Sequence, residues 1–274
     1  MKSIWICADD YALAPGVSAA IRALLAMGRL NATSVMTVFP GLAEEAAWLD
    51  ETLRAKPTPA SASIGLHVTF TGGFAPLAAD PLGGAVFAPL RALVGHALTG
   101  RLDVAAVRAE VEAQFQAFHA AFGRPPAHVD GHQHVHLLPG IRDVVLEATA
   151  RHAPGALVRD CTPAAKARLG FDAKARLLGL FATGLKAQAR ARGLPTNSGF
   201  AGAYDFGPGH DFAALLAHFI AGLPDGGLVM VHPGHPDAVL ARRDPVTDQR
   251  AREYAALAGD AFPALLATAD AQLA

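Results

Sequence analysis

The chain has 274 residues, of which 52% are hydrophobic and 17% are charged, and its formal net charge is -1. This apolar content is enough for a large core and argues against extensive disorder. The near balance of 23 basic and 24 acidic residues excludes the strongly basic surface that is typical of nucleic-acid binding. Two cysteines, Cys7 and Cys161, are too few for a disulfide framework.

Strand-like and helix-like segments alternate along the chain. Strands are predicted at residues 3–8, 32–39, 63–68, 127–130, 156–159, 197–200 and 227–231. Helices are predicted at residues 16–28, 42–54, 104–122, 139–152, 172–192, 211–221 and 247–268, the last with a break at Pro263. Residues 70–101 are rich in Gly, Pro and Ala, and we expect a long loop or insertion there within a single domain of residues 1–274.

The first residues enter a predicted strand at once, without the apolar centre and cleavage site of a signal peptide. No window reaches the roughly 18 uninterrupted apolar residues that a transmembrane helix needs. We therefore expect a cytoplasmic protein with no transmembrane segment. The alanine- and leucine-rich helices are compatible with either a monomer or a homodimer.

Strands that alternate with helices pair in parallel through right-handed crossovers, which leaves a doubly wound sheet or a barrel. Polar side chains stand at or just after the ends of five predicted strands: Asp9-Asp10, His67, His132, Arg159 and His232. A barrel gathers such residues on one face, whereas an open sheet spreads them apart. We therefore predict an irregular (β/α) TIM-like barrel with about seven parallel strands, with residues 70–101 as a candidate lid or substrate wall.

The motif Asp130-Gly131-His132-Gln133-His134-Val135-His136 places three histidines at alternate positions after an aspartate. Neutral imidazole is the commonest metal ligand among side chains, so the motif indicates a metal site. The alternative is a polar loop with surface histidines.

A second motif, Asp9-Asp10, places two adjacent carboxylates after an apolar strand. One can bind a cation while the other acts as a base, and the alternative is a turn or a helix cap.

Five blocks of the sequence resemble the YdjC-like carbohydrate deacetylases, in that family's order. The blocks are ADDYALAPGV (8–17), TS (33–34), IGLHVT (64–69), HVDGHQHVH (128–136) and VHPG (231–234). One departure is Tyr11-Ala12, where the family usually has Phe-Gly, and it removes backbone freedom beside the aspartate pair.

The resemblance implies an irregular barrel that holds one divalent cation and removes acetyl groups from N-acetylated amino sugars. It implies that Asp10, His67 and His132 are the metal ligands. It also implies that Asp9 is the general base and His232 the general acid.

Other residues of the motifs leave alternatives open. His132 and His136 are four apart and would share one face of a helix, so Asp10, His132 and His136 form an alternative ligand set, although Pro139 indicates a later helix start. Otherwise His134 and His136 orient the ligands or contact the sugar, and Asp130 orients a histidine. Arg159 either pairs with Asp9 and holds it ionised or forms a structural salt bridge.

Two arguments give different expectations for the metal. The family is commonly described with magnesium, whereas two imidazoles and one carboxylate are by softness a better match to zinc or another transition metal.

Substrate and reaction class also leave alternatives. Near the C-terminus, HPGHPD (232–237), RRDPVT (242–247), REY (252–254) and DAFP (260–263) resemble the hopanoid biosynthesis-associated branch. Resemblance to that branch implies that the substrate is an N-acetylglucosaminyl hopanoid and that the protein lies at the membrane surface. Resemblance to better-known members of the family implies a chitooligosaccharide substrate instead. A metal-dependent phosphoesterase is a rival, although few basic residues lie near the strand ends. A non-catalytic sugar- or metal-binding module would not need Asp9, Asp10 and His232 together.

Overall fold

The computed structural model describes residues 1–55, 62–167, 173–207 and 209–274. The strands within these residues are β1 (Lys2–Tyr11), β2 (Ala32–Val35), β3 (Ser63–Val68), β4 (His128–Gly131), β5 (Leu157–Val158), β6 (Phe200–Ala201), β7 (Gly227–Val231) and β8 (Ala271–Leu273). The helices are α1 (Pro15–Ala26), α2 (Leu42–Ala55), α3 (Leu90–Leu98), α4 (Val104–Phe122), α5 (Arg142–His152), α6 (Ala173–Ala182), α7 (Leu185–Ala191), α8 (Phe212–Gly222), α9 (Leu240–Arg243), α10 (Asp248–Ala258) and α11 (Phe262–Thr268). Short 3₁₀ turns span His132–Leu137 and Ala165–Ala167.

The described strands form one parallel sheet in the order β5-β4-β3-β2-β1-β7-β6, and β8 pairs with the first residues of β1. The two outer edges of this sheet approach each other, because Val158 pairs with Thr196 and Pro163 pairs with Phe200. The sheet therefore curls toward closure, with helices on its outside. This confirms the predicted irregular (β/α) barrel of about seven parallel strands.

Helix boundaries follow local capping chemistry. The side chain of Asp103 accepts hydrogen bonds from the backbone N–H groups of Ala105 and Ala106, and so starts α4. Gly123, with a left-handed φ of 63°, ends the same helix. Pro15 stands in the first turn of α1, where its missing N–H costs nothing.

Several elements differ from the sequence-based prediction. The predicted helix 172–192 consists of α6 and α7, separated at Gly184, whose φ is 85°; its predicted first residue, Asp172, lies outside the described residues. The break in the last predicted helix precedes Pro263, because α10 ends at Ala258 and Pro263 belongs to the first turn of α11. Residues 70–101 contain α3, and β8 adds a short strand that was not predicted.

No helix in the described ranges combines the length and the apolar character that crossing a bilayer requires.

Gly65 in β3 packs directly on the His128 ring of β4. A Cβ at this position would lie 2.2 Å from the ring atoms Cδ2 and Nε2. The ring is held in place, since Ser63 Oγ lies 2.8 Å from Nδ1 and Ser34 Oγ lies 3.0 Å from Nε2. Gly65→Ala should therefore lower the free energy of unfolding by about 1–3 kcal/mol through overpacking.

Urea unfolding measures this effect. Gly95→Ala in α3 is the matched control, because a Cβ there meets nothing within 4 Å. The control should raise stability by roughly 0.5–1 kcal/mol through helix propensity. Equal stability of Gly65→Ala and the native chain would contradict the packing account.

Candidate metal and catalytic site

The carboxyl ends of the barrel strands bring the predicted site residues together around one cavity. This cavity has a volume of about 370 Å³. Its polar lining includes Asp9, Asp10, His132, Gln133, His134, His232, Asp244 and Arg250. His67, Asp130 and Arg159 are buried directly behind these groups.

A local change of backbone conformation lets both aspartates reach the cavity. Adjacent side chains of an extended strand point to opposite faces. At Asp10 the backbone has a left-handed φ of 68°, and the pairing of β1 with β2 shifts register between Ala8 and Tyr11. Ala12, with a φ of 73°, also adopts the left-handed conformation. An alanine therefore stands in a backbone conformation that only glycine adopts without strain.

Asp10, His67 and His132 form the predicted ligand group. Asp10 Oδ1 lies 2.9 Å from His132 Nδ1 and 3.3 Å from His67 Nε2. All three side chains are buried, and one ligand atom of each lies within 4.8 Å of the others. The residues come from β1, β3 and the 3₁₀ turn after β4, so the curled sheet itself assembles the group.

Asp130 orients the imidazole of His67. His67 Nδ1 lies 2.6 Å from Asp130 Oδ1, and this contact directs Nε2 toward Asp10. Burial alone would lower the pKa of His67, but the carboxylates of Asp130 and Asp9 raise that pKa to about 10. Burial would likewise raise the pKa of Asp130, and Arg159 and His67 instead hold it well below its ordinary range.

Arg159 holds Asp9 through two hydrogen bonds. Its Nη1 donates to Asp9 Oδ2 over 2.7 Å, and its Nη2 donates to Asp9 Oδ1 over 2.6 Å. The same guanidinium forms an ion pair with Asp130. Burial raises the pKa of Asp9 above its ordinary value, and the positive charge of Arg159 opposes this shift. The predicted Arg159–Asp9 pair is therefore present, and Arg159 also joins Asp9 to Asp130.

The 3₁₀ turn separates His134 and His136 from the ligand group. Gln133 and His134 have left-handed φ values of 52° and 61°, so His132 and His136 do not share the face of a regular helix. His136 Nε2 donates to the backbone carbonyl of Arg159 over 3.0 Å. His134 Nδ1 lies 3.5 Å from Cys161 Sγ, and the His134 ring meets Phe200 edge-on. The alternative set with His136 thus lacks the spatial grouping of Asp10, His67 and His132.

Helix α10 contributes Arg250, a charged residue that sequence reasoning missed. Arg250 Nη2 donates to Asp10 Oδ2 over 2.6 Å and to Asp244 Oδ2 over 2.5 Å. Burial would raise the pKa of Asp10, but Arg250 and His132 hold it well below its ordinary value. In the sequence, the signal for Arg250 is only its place within the helical pattern of residues 247–268. The element against which that helix packs is set by the tertiary fold, so the contact with Asp10 could not be predicted.

Glu253, also on α10, holds the segment that carries His232. Its Oε2 accepts a hydrogen bond from the His232 backbone N–H over 2.5 Å, and its Oε1 accepts one from Tyr204 over 2.5 Å. Burial raises the pKa of Glu253 to about 7. The half-buried His232 ring meets Phe206 edge-on, with 5.0 Å between ring centroids.

The donor set and the local charge fit a divalent cation. One carboxylate and two imidazoles are a common ligand combination for catalytic metals. Among the described residues in these contacts, four carboxylates (Asp9, Asp10, Asp130 and Asp244) face two guanidiniums (Arg159 and Arg250). A histidine that binds a metal is neutral, so with His67 deprotonated two negative charges remain for a cation to balance.

The fold and this site define a class of (β/α)-barrel proteins with a buried Asp-His-His group at the carboxyl ends of the strands. Within that class, the chain belongs to the YdjC-like protein family, whose sequence model matches residues 3–268. The family resemblance predicted from the sequence motifs is thereby confirmed.

Named relatives extend the comparison. A carbohydrate deacetylase from Mus musculus is 31% identical over 255 residues, which cover 84% of this chain and 77% of the mouse protein. A chitooligosaccharide deacetylase from Yersinia pestis (strain Pestoides F) is 35% identical over 145 residues, 53% of this chain. The match spans about half of that relative's length, 54%.

A solved structure shares the fold. A candidate cellobiose-phosphate cleavage protein from Enterococcus faecalis V583 superposes with a TM-score of 0.76 over 100% of this chain and 97% of that one. The two sequences are 19% identical, so the likeness concerns the fold alone.

Proposed function

We propose that the protein is a metal-dependent hydrolase that removes the N-acetyl group from an N-acetylglucosamine-containing substrate. The observation that carries the proposal is the grouping of Asp10, His67 and His132 beside a second carboxylate, Asp9, at one cavity. The relatives named as carbohydrate deacetylases support the reaction and the substrate class.

Each residue has a distinct role in the proposed reaction. Asp10, His67 and His132 would hold one divalent cation, which supplies a Lewis acid for the acetyl carbonyl and makes water more acidic. Asp9 takes a proton from the water whose oxygen bonds to the acetyl carbon, and Arg159 keeps Asp9 aligned. When the C–N bond breaks, His232 donates a proton to the amine nitrogen, which is a poor leaving group without it.

Ligand softness favours zinc or another transition metal at this site, whereas the family resemblance favours magnesium. Metal analysis of the protein after purification without added metal separates these alternatives. We expect about one ion per chain, because the group of Asp10, His67 and His132 shares His67 with the neighbouring group of Asp9, His67 and Asp130, and the two groups cannot both be filled.

The cavity wall supports an amphiphilic substrate. Its apolar lining is Leu90, Val94, Leu138, Leu178, Phe181, Phe206, Met230, Pro245 and Val246. Leu90 and Val94 lie on α3, inside the segment predicted to be a lid or substrate wall. A lipid-linked N-acetylglucosamine, such as the hopanoid conjugate, would place its sugar at the polar end and its lipid against this wall. Faster turnover of such a conjugate than of a chitooligosaccharide would support the lipid; the reverse order would favour the soluble chain.

One incubation distinguishes the reaction classes. The metal-loaded protein is mixed with an N-acetylglucosamine conjugate and a phosphodiester, and acetate and phosphate monoester are both measured. We expect acetate only. Phosphodiester cleavage would instead support the phosphoesterase alternative. In that case the guanidiniums of Arg159 and Arg250 would contact the phosphate, although both are already paired with carboxylates. Binding without either product would indicate a non-catalytic module.

Replacement of His232 should affect amides more than activated esters. His232→Ala is expected to lower kcat/KM for the N-acetyl substrate by about 10²–10⁴-fold, because the departing amine loses its proton donor. Hydrolysis of 4-nitrophenyl acetate should change much less, since nitrophenolate leaves without protonation. Steady-state kinetics with both substrates provide the comparison.

His235→Ala is the matched control, because His235 is exposed and its ring meets Tyr254 edge-on. Equal losses for amide and ester in His232→Ala would assign His232 to substrate binding instead.

A further inference from the structure

We propose that Arg250 is a positioning residue that limits Asp10 to one metal-binding oxygen and so keeps a coordination position open for the reacting groups. This inference rests on the proposed function, since it concerns the metal ligands of that site. Arg250 was not among the residues that the sequence motifs indicated.

The two oxygens of Asp10 have different partners. Oδ1 lies 2.9 Å from His132 Nδ1 and 3.3 Å from His67 Nε2, so it is the oxygen within the ligand group. Oδ2 accepts the 2.6 Å hydrogen bond from Arg250 Nη2. One oxygen of the Asp10 carboxylate thus faces the two imidazoles, and the other faces the guanidinium of Arg250.

This division has a direct consequence for coordination. A carboxylate can bind a metal ion through one oxygen or through both. A hydrogen bond from a guanidinium occupies a lone pair of Oδ2, and its positive charge repels a second cation at that oxygen. Catalytic metal sites need positions free of protein ligands, and Arg250 prevents Asp10 from filling one of them.

Arg250 is itself held firmly. Its Nη2 also donates to Asp244 Oδ2, and its Nε donates to the backbone carbonyl of Val246 over 3.1 Å. The side chain is 2% exposed, so its geometry is set by protein contacts. Within the described residues, its buried Nη1 has no hydrogen-bond partner. A buried donor without a partner lowers the stability of the fold. Stability alone therefore does not explain why an arginine stands at position 250.

The test compares the native protein with Arg250→Met after Co²⁺ is bound to each. Arg250→Met leaves Oδ2 free to coordinate, so we expect weaker visible absorption per bound Co²⁺, as coordination number rises. Co²⁺ affinity, measured by calorimetry, should stay equal or increase. The kcat for acetate release should fall by about 10–100-fold, the usual effect of losing a residue that orients a metal ligand. Arg242→Met, an exposed arginine on α9, is the control and should change none of these quantities.

Arg250→Lys keeps the test available if Arg250→Met does not fold. Lysine retains the charge and one donor but loses the planar fork, so its spectrum and kcat should be intermediate. An unchanged spectrum per bound Co²⁺, or affinity that falls in parallel with kcat, would overturn the proposal and leave Arg250 a structural residue. The spectrum and the affinity do not require turnover, so they decide the role of Arg250 even if the native protein releases no acetate.

Discussion

Asp9→Asn is expected to lower kcat for acetate release by about 10²–10⁴-fold, the usual contribution of a general base. The amide of asparagine cannot take a proton from water at neutral pH, although its shape is close to that of aspartate. Metal content should remain near that of the native protein if Asp10, His67 and His132 are the ligands, whereas loss of metal would favour the neighbouring group of Asp9, His67 and Asp130. Single-turnover kinetics together with metal analysis measure the two quantities on the same sample.

The variant should still fold. Arg159 keeps its ion pair with Asp130 when Asp9 is replaced, so its charge is not left alone in the interior. Asp103→Asn is a matched control, because Asp103 caps α4 at the surface and asparagine caps helices equally well. Near-normal turnover by folded, metal-loaded Asp9→Asn would exclude Asp9 as the base.

His67→Ala and His132→Ala are expected to lose most of their bound metal. Each removes one of three protein ligands, and we expect affinity to fall by about 100-fold or more, beyond the 10–100-fold typical of losing an outer-shell partner. Acetate release should fall with occupancy. Metal analysis after dialysis against a buffered metal solution gives the occupancy of each variant.

His136→Ala should be measured alongside these variants, because it tests the alternative ligand set of Asp10, His132 and His136. Its imidazole donates to the Arg159 backbone carbonyl, so metal occupancy should stay close to the native value. Loss of metal from His136→Ala, together with full occupancy of His67→Ala, would replace the assigned set with Asp10, His132 and His136.

The class of fold and the face that carries the site could be predicted from sequence. Parallel pairing follows from alternating strands and helices, and the carboxyl ends of parallel strands meet on one side of the sheet. This is why Asp9, Asp10, His67 and His132, far apart in sequence, could be expected to converge. The family motifs covered the same residues.

Other features depend on tertiary contacts that no local pattern records. Arg250 reaches Asp10 because α10 docks beside the mouth of the barrel, and the two residues are 240 positions apart in the chain. The alternation of His132, His134 and His136 could have belonged to a strand or a helix. Left-handed backbone at Gln133 and His134 instead gives each histidine a different direction. The short β8 forms only by pairing with β1.

The most direct test of a metal-dependent deacetylase is acetate release as metal is removed and returned. The protein is treated with a chelator, dialysed, and titrated with Zn²⁺ or Mg²⁺ while acetate release from an N-acetylglucosamine conjugate is recorded. We predict that chelation abolishes release and that activity returns and reaches a plateau at one ion per chain. Acetate release that persists after complete removal of metal would contradict the central claim.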